Sequence, residues 1–441
     1  MKAGQSHEPV ERWLGPLGSV EPHRLDNGLE VRLVPSSQAP IVVASLWYRV
    51  GARDESPEHG GIAHFLEHMM FKGSHRFPMG SIDRLTQSLG GENNAFTSHD
   101  VTSYYFSFAA EHWRIALEVE ADRMETLTLD EGEIDREREV ILEEISMYED
   151  DPWDALELRS NDCYYQGFSY GRPILGTRET VRAIDRDALE RFYRTHYRPD
   201  NAVLVLAGDL GAETLAEVEA WLGKPEPGGN GRTPWRDSFV VPDQLRHLRH
   251  DQGKSPRLLV SLPAPRADHE DFVPWRVWMT VLGGSRSSRL HRRLVDEGKL
   301  CSAMSSETTE MAGPGIATIS AELLPGVEPA RVEDVVLDGV RELLRKPPSP
   351  AELENAKRML LADWVFGLER IQRQALIIGH AESVFDGGYP ARQLDRLLNC
   401  RLGDLETAAR RQLTTAAGDL GGVVAWSLAE LAEAGRDGRD G

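Results

Sequence analysis

Within the segment GGIAHFLEHMMFKG, residues 60–73, two histidines and a glutamate stand as His64-Phe65-Leu66-Glu67-His68. On a helix, positions i, i+3 and i+4 share one face, so both imidazoles can reach one metal ion with Glu67 beside them. Neutral imidazoles suit zinc. A carboxylate beside zinc-bound water can take its proton, because the metal lowers the water's pKa to roughly 7. The order inverts the H-E-x-x-H arrangement of other zinc hydrolases. A bare five-residue match also arises by chance on a helix that needs no metal. Here Ile62, Phe65, Leu66 and Met69 form an apolar stripe that sets the helix partly in a core. The polar trio is therefore not plain solvated surface.

A catalytic zinc usually keeps three protein ligands and a water. The third is sought in residues 130–148, DEGEIDREREVILEEISMY, which read as a helix. Ile134, Ile141, Ile145 and Tyr148 mark its apolar face. Glu137 and Glu144 fall on that seam, and Glu139, Glu143 and Ser146 fall away from it. A carboxylate on a buried face needs a partner to offset its desolvation, and a metal ion is one. Glu144 is thus the candidate third ligand, and Glu137 a companion able to orient a ligand histidine. A Glu-rich helix is more usually solvated surface, and only the histidine pair tips the balance.

The elements that must hold these residues fall into two runs. Residues 29–34, 41–50, 94–97, 102–109 and 202–207 read as strands, with helices between and after them. Residue 81 is a plausible N-cap for a helix over 81–89. A similar order returns later, with strands at 257–262, 302–307, 316–323 and 422–427 and helices at 331–344, 350–366, 370–384 and 393–413. Residues 223–243, rich in Gly and Pro and without periodicity, read as a linker. The pattern predicts an α+β fold of two homologous halves, a structural duplication. The zinc-binding N-terminal domain would span 20–222 and its counterpart, without the zinc motif, 244–430.

Composition narrows the function classes. The 441 residues suffice for two or three domains at roughly 100–200 residues each. Fifty Lys and Arg against 71 Asp and Glu give a net charge of −21, which disfavours nucleic acid and anionic lipid as partners. If that charge lines the substrate site, basic peptides are the favoured ones. No apolar run approaches the roughly 20 residues of a membrane helix, and the N-terminus lacks the apolar stretch of a signal peptide. The three cysteines, Cys163, Cys301 and Cys400, are far apart and form no Cys-x-x-Cys pair. A cytoplasmic protein without disulfides is the expectation.

These motifs together resemble the pitrilysin clan of zinc metallopeptidases, which includes insulin-degrading enzyme and the mitochondrial processing peptidase. The short two-domain bacterial type is the most similar. The family's H-x-x-E-H motif is followed far downstream by a glutamate that falls on Glu144, and a second, two turns earlier, falls on Glu137. The segments LDNGLEVRLVPSS, GGENNAFTSHDVTSYYF, GRPILG, FYRTHYRPDNAVLVLAGD and ELENAKRMLLADWVFGLE carry the resemblance across about residues 20–430. It implies two halves enclosing a peptide chamber. It also implies that an extended peptide adds as a strand beside Asn94, Ala95, Phe96 and Thr97, a mode in which main-chain bonds give breadth and side-chain pockets give preference.

The expected function is a zinc endopeptidase acting on short or unfolded peptides, with zinc on His64, His68 and Glu144, Glu67 as general base, and a dimeric state. One departure counts against self-sufficiency. Active relatives often carry an Arg and a Tyr after a Gly- and Ser-rich turn, to bind substrate and stabilise the oxyanion. Aligned on the SSRL segment, those places hold Val295 and Ser302. Arg292 or Arg293 can stand in for the first, but no Tyr lies near the second. An oxyanion donor is typically worth about 10²–10³ in rate. The alternative is therefore a weak or non-catalytic subunit whose same-fold partner supplies the Arg and Tyr, or a structural or peptide-binding homologue. A homodimer and a heterodimer both fit.

Overall fold

The computed structural model describes residues 10–228, 239–253, 255–415 and 418–428. Positions 229–238 of the expected linker, and 429–430 of the expected second domain, lie outside the described residues. The chain forms two compact units that interleave along the sequence. The first gathers Met1–Ile145, Phe168–Ser238 and Arg358–Asn399, and the second Ser146–Gly167, Phe239–Lys357 and Cys400–Gly441.

The first unit is built on a six-stranded sheet of β1 (Glu21–Arg24), β2 (Glu30–Pro35), β3 (Ile41–Tyr48), β4 (Glu92–Thr97), β5 (Thr102–Ala109) and β6 (Ala202–Gly208), in the order β1-β2-β6-β3-β5-β4. The second is built on β7 (Leu245–Arg249), β8 (Arg257–Ala264), β9 (Cys301–Thr308), β10 (Gly315–Leu323) and β11 (Gly422–Ser427), in the order β7-β11-β8-β10-β9. Apart from β1 the two orders are the same. The single parallel pairing also recurs in place, β2 with β6 and β7 with β11. Two homologous α/β units are therefore present, as the repeated pattern predicts.

The run AVLVLAG of β6 is buried at every position, as a strand covered on both faces must be. One face carries Val42, Ala44, Leu46, Leu204 and Leu206 into a core with the helices Ile62–Met69, Arg114–Thr126 and Arg186–His196. Against β3 and β6 also packs the helix Ile371–Val384, which comes from the second half of the sequence. Glu382 of that helix takes a bidentate bond from Arg32 of β2, at 2.5 and 2.8 Å. Reciprocally, the helix Pro152–Tyr165 of the first half packs on β8 and β11 in the second unit, burying Leu156 against Leu259 and Ala425. Each half thus lends the other's sheet a helix, and each lent helix follows a long one, Glu131–Asp150 or Pro350–Gly367.

Gly379 is the close approach on the lent helix. A Cβ there would lie 2.0 Å from Nε1 of Trp47. Trp47 is buried and in turn meets the ring of Phe96 edge-on at 5.4 Å. Gly379→Ala should destabilise the first unit by about 1–3 kcal/mol through overpacking, despite alanine's better helix propensity. A thermal melt checks this, and an unchanged melting temperature would show that Trp47 yields without cost.

Three local expectations are corrected. The helix expected over 393–413 is two, Tyr389–Asn399 and Leu402–Leu413. The second starts afresh where Asp404 accepts the Arg401 N–H at 2.8 Å. The N-cap of Ser81–Ser88 is Gly80, with φ 70°, and not Ser81, whose buried hydroxyl makes no hydrogen bond among the described residues. Tyr148 is 41% exposed, so the apolar seam of its helix ends at Ile145. β1 and β7 escape a pattern search because EPHR and LRHLR are polar edge strands, whose charges discourage edge pairing.

Candidate metal centre

Two helical segments of the first unit, Ile62–Met69 and the part of Glu131–Asp150 up to Ile145, bring the candidate ligands together. Ile62–Met69 buries Ile62, Ala63, Phe65, Leu66 and Met69, which leaves His64 and His68 one turn apart on its remaining face. Their rings lie 4.5 Å apart. On the helix Glu131–Asp150, Ile134, Ile141, Leu142 and Ile145 are buried, Glu137 with them, and Glu143 is exposed. Glu144 is half-buried. Its Oε2 stands 3.7 Å from Nε2 of His64 and 3.7 Å from Nε2 of His68. One ligand atom from each of the three lies within 4.8 Å of the others. An ion bonded at about 2.0–2.2 Å to each donor fits between atoms held so. The chain therefore holds a His, His, Glu cluster able to coordinate a metal ion. His99, His112 and His196 are outside it.

The electrostatics suit a cation. Burial, then the neighbouring His68, pushes His64 down to about 3, so its imidazole is neutral, the ligand form. Its Nδ1 has no hydrogen-bond partner among the described residues, and Nε2 is the nitrogen turned toward Glu144. Nδ1 of His68 lies 2.8 Å from Oε1 of Glu137, whose Oε2 lies 2.6 Å from Nζ of Lys72. Burial alone would raise Glu137, but the His68 and Lys72 bonds outweigh it and hold the carboxyl below its ordinary range. Such an outer carboxylate fixes the ring so that Nε2 is turned toward Glu144. Lys72 was missed from sequence, although it stands at i+4 from His68.

Glu67 is not part of the metal-capable cluster. Its Oε2 accepts the Thr97 hydroxyl at 2.5 Å, which ties the helix to β4. Burial pushes its carboxyl above the usual range, against the pull of that bond. β4 pairs with β5 and is the outer strand of its sheet. Of the residues expected to meet a peptide, Asn94 accepts the N–H of its neighbour Ala95 at 2.8 Å, Phe96 packs on Trp47, and Thr97 is engaged by Glu67.

The GRPILG segment braces the helix Ile62–Met69. Gly61 has φ 91°, and a Cβ there would lie 2.4 Å from the Leu175 carbonyl. A Cβ on Gly176 would lie 2.2 Å from the Gly60 carbonyl, which also accepts the Thr180 hydroxyl at 2.7 Å. In the second unit, Val295 lies in a short helical turn, Arg292–Asp296, and Ser302 on β9. Arg293, one of the two substitutes, is bound to Glu342.

Residues 31–178 match the family model described as insulinase, peptidase family M16, and residues 183–360 the model described as the peptidase M16 inactive domain. A Bacillus subtilis protein named as the uncharacterized zinc protease YmxG is 31% identical over 79% of this chain and 85% of its own. The β subunit of the bovine (Bos taurus) mitochondrial-processing peptidase is 30% identical over 78% of this chain and 72% of its own. In fold, the chain is similar to a protease from Helicobacter pylori, with a TM-score of 0.87 at 23% identity, covering 93% of this chain and 99% of that one. No helix among the described residues is long and apolar enough to cross a membrane.

The expectation of an active zinc endopeptidase with Glu67 as its base is corrected by these findings. Residues 183–360 match a domain described as inactive, the metal-capable cluster leaves Glu67 out, and one relative is by name a subunit of a peptidase. The findings fit the non-catalytic alternative better. The chain belongs to the insulinase family, peptidase family M16.

Proposed function

We propose that this chain is a metal-holding, peptide-binding subunit that does not work as an endopeptidase alone and needs a same-fold partner. The observation that carries this is an asymmetry between the units. The first has His64, His68 and Glu144 gathered beside an outer strand, while in the second Val295 and Ser302 stand where the family resemblance implies Arg and Tyr. Zinc is the ion this donor set favours, two imidazoles and a carboxylate being among its usual ligands. Bound there, zinc would supply a Lewis acid to a peptide carbonyl. Glu137 orients His68, and Glu67 joins the metal helix to β4 through Thr97. An extended peptide adds to the free side of β4 by main-chain bonds. The bovine relative, by its name a subunit, is a precedent for assembly with another chain.

The test uses the full chain and a fluorescent, quenched, extended peptide. Alone, the chain should bind the peptide and release no product above its metal-stripped form. A same-fold partner carrying Arg and Tyr should raise turnover, by about 10²–10³ if it supplies an oxyanion donor. Fast cleavage by the chain alone, unchanged by the partner, would overturn the proposal.

A further inference from the structure

We infer that Glu55 is the positioning residue that sets the metal helix in place, an inference that rests on His64, His68 and Glu144 holding a metal. Glu55 is 5% exposed and sits in the loop between two short turns, Ala52–Asp54 and Pro57–His59. Its Oε2 accepts the Gly61 N–H at 2.9 Å and its Oε1 the Ala63 N–H at 3.0 Å. The first N–H groups of a helix have no partner within it, and an N-cap side chain normally satisfies one of them. Here the N-cap is Gly61, which has no side chain and, with Leu175 so near, no room for one. A carboxyl group from outside the helix therefore does the work, its two oxygens taking two of these donors, and the bonds partly offset the burial that pushes it up to about 8.

The anchor is itself held. Arg172 donates to the Glu55 carbonyl at 3.1 Å and to the Ala52 carbonyl at 3.4 Å. Ala52 N–H and Arg53 N–H donate to the carbonyls of Ser98 and His99, at 3.0 and 3.1 Å, just beyond β4. One loop thus ties the start of the metal helix to the exit of the outer strand. The helix is only eight residues long, with His64 in its first turn and His68 in its last. A slide or rotation at its N-terminus carries both imidazoles with it. Glu55 reaches the metal only through the helix.

The test measures zinc affinity by chelator competition and geometry by the visible bands of cobalt(II) in the same site. Glu55→Gln keeps the size but sets an amide N–H₂ against one of the two backbone donors. It should weaken zinc binding by about 10–100-fold, as outer partners of metal ligands do, and alter the cobalt spectrum. Arg32→Met, which breaks the clamp on Glu382 in the same unit, should lower the melting temperature and leave both readouts unchanged. Where Glu55→Gln does not fold, Glu55→Asp, with both oxygens on a shorter arm, is expected to show the same loss. Wild-type affinity and spectrum in the folded variant would overturn the inference. Amide exchange of the metal-free protein judges it separately. Faster exchange at Gly61 and Ala63 supports it and unchanged exchange overturns it. A wild-type chain that binds no zinc would instead sink the metal-holding reading.

Discussion

Replacing Arg123 with methionine should destabilise the first unit by about 3–5 kcal/mol, because it strands a buried charge. Arg123 is 0% exposed and Glu120 1%. The guanidinium holds both carboxylate oxygens, at 2.8 and 2.5 Å, and lies 4.4 Å over the Tyr104 ring. Phe71 and Phe106 flank it, and the Tyr193 hydroxyl donates to its carbonyl at 2.9 Å. Methionine fills much of the space but leaves Glu120 without its cation. At about 2–4 °C per kcal/mol for a unit of this size, the melting temperature should fall by roughly 6–20 °C. The loss should shrink at low pH, where protonation neutralises the stranded carboxylate. Burial, which already raises Glu120 above its ordinary value, brings that protonation to a higher pH. Adding Glu120→Leu should restore most of the stability, since a buried ion pair is often replaceable by apolar residues at little cost. Melts of the two single variants and the double variant decide it. A stable Arg123→Met, or a double variant no better than the single, would show that the charge is relieved in another way.

The cluster was legible because its geometry is local. His64 and His68 share a helix, so their spacing alone puts them on one face, and the Ile134, Ile141 and Ile145 seam separates Glu144 from Glu143. The duplication was legible too, since order and burial repeat along the chain. The exchange of helices was not. An apolar stripe on Ile371–Val384 says that the helix is buried, not that it is buried on β3 and β6, more than a hundred residues of sequence away. Glu55 was illegible for a different reason. It lies outside any periodic element, and its meaning comes from a glycine N-cap that only a left-handed φ reveals. The functional expectation erred because H-x-x-E-H reports a histidine pair able to hold a metal, and not hydrolysis. Whether hydrolysis follows depends on groups set elsewhere in the fold, where Val295 and Ser302 had already signalled a gap.

Glu144→Gln should remove stoichiometric zinc, while Glu143→Gln, one residue away, should leave it in place. The two substitutions delete the same charge from the same helix, but only Glu144 faces His64 and His68. A general attraction of cations to an acidic helix would make the two variants alike. A ligand role makes them differ by well over the roughly 10–100-fold that an outer partner commands. Glu137→Gln supplies that intermediate scale, for it keeps the ligands and loses the carboxylate that holds Nδ1 of His68 at 2.8 Å. The expected order of affinity is wild type and Glu143→Gln, then Glu137→Gln, then Glu144→Gln. Metal content of the purified chains and chelator competition measure it. Protons hardly interfere at His64, whose imidazole stays neutral down to about pH 3. Equal retention of zinc in Glu143→Gln and Glu144→Gln would remove Glu144 from the ligand set, and with it the observation on which the metal-holding role stands.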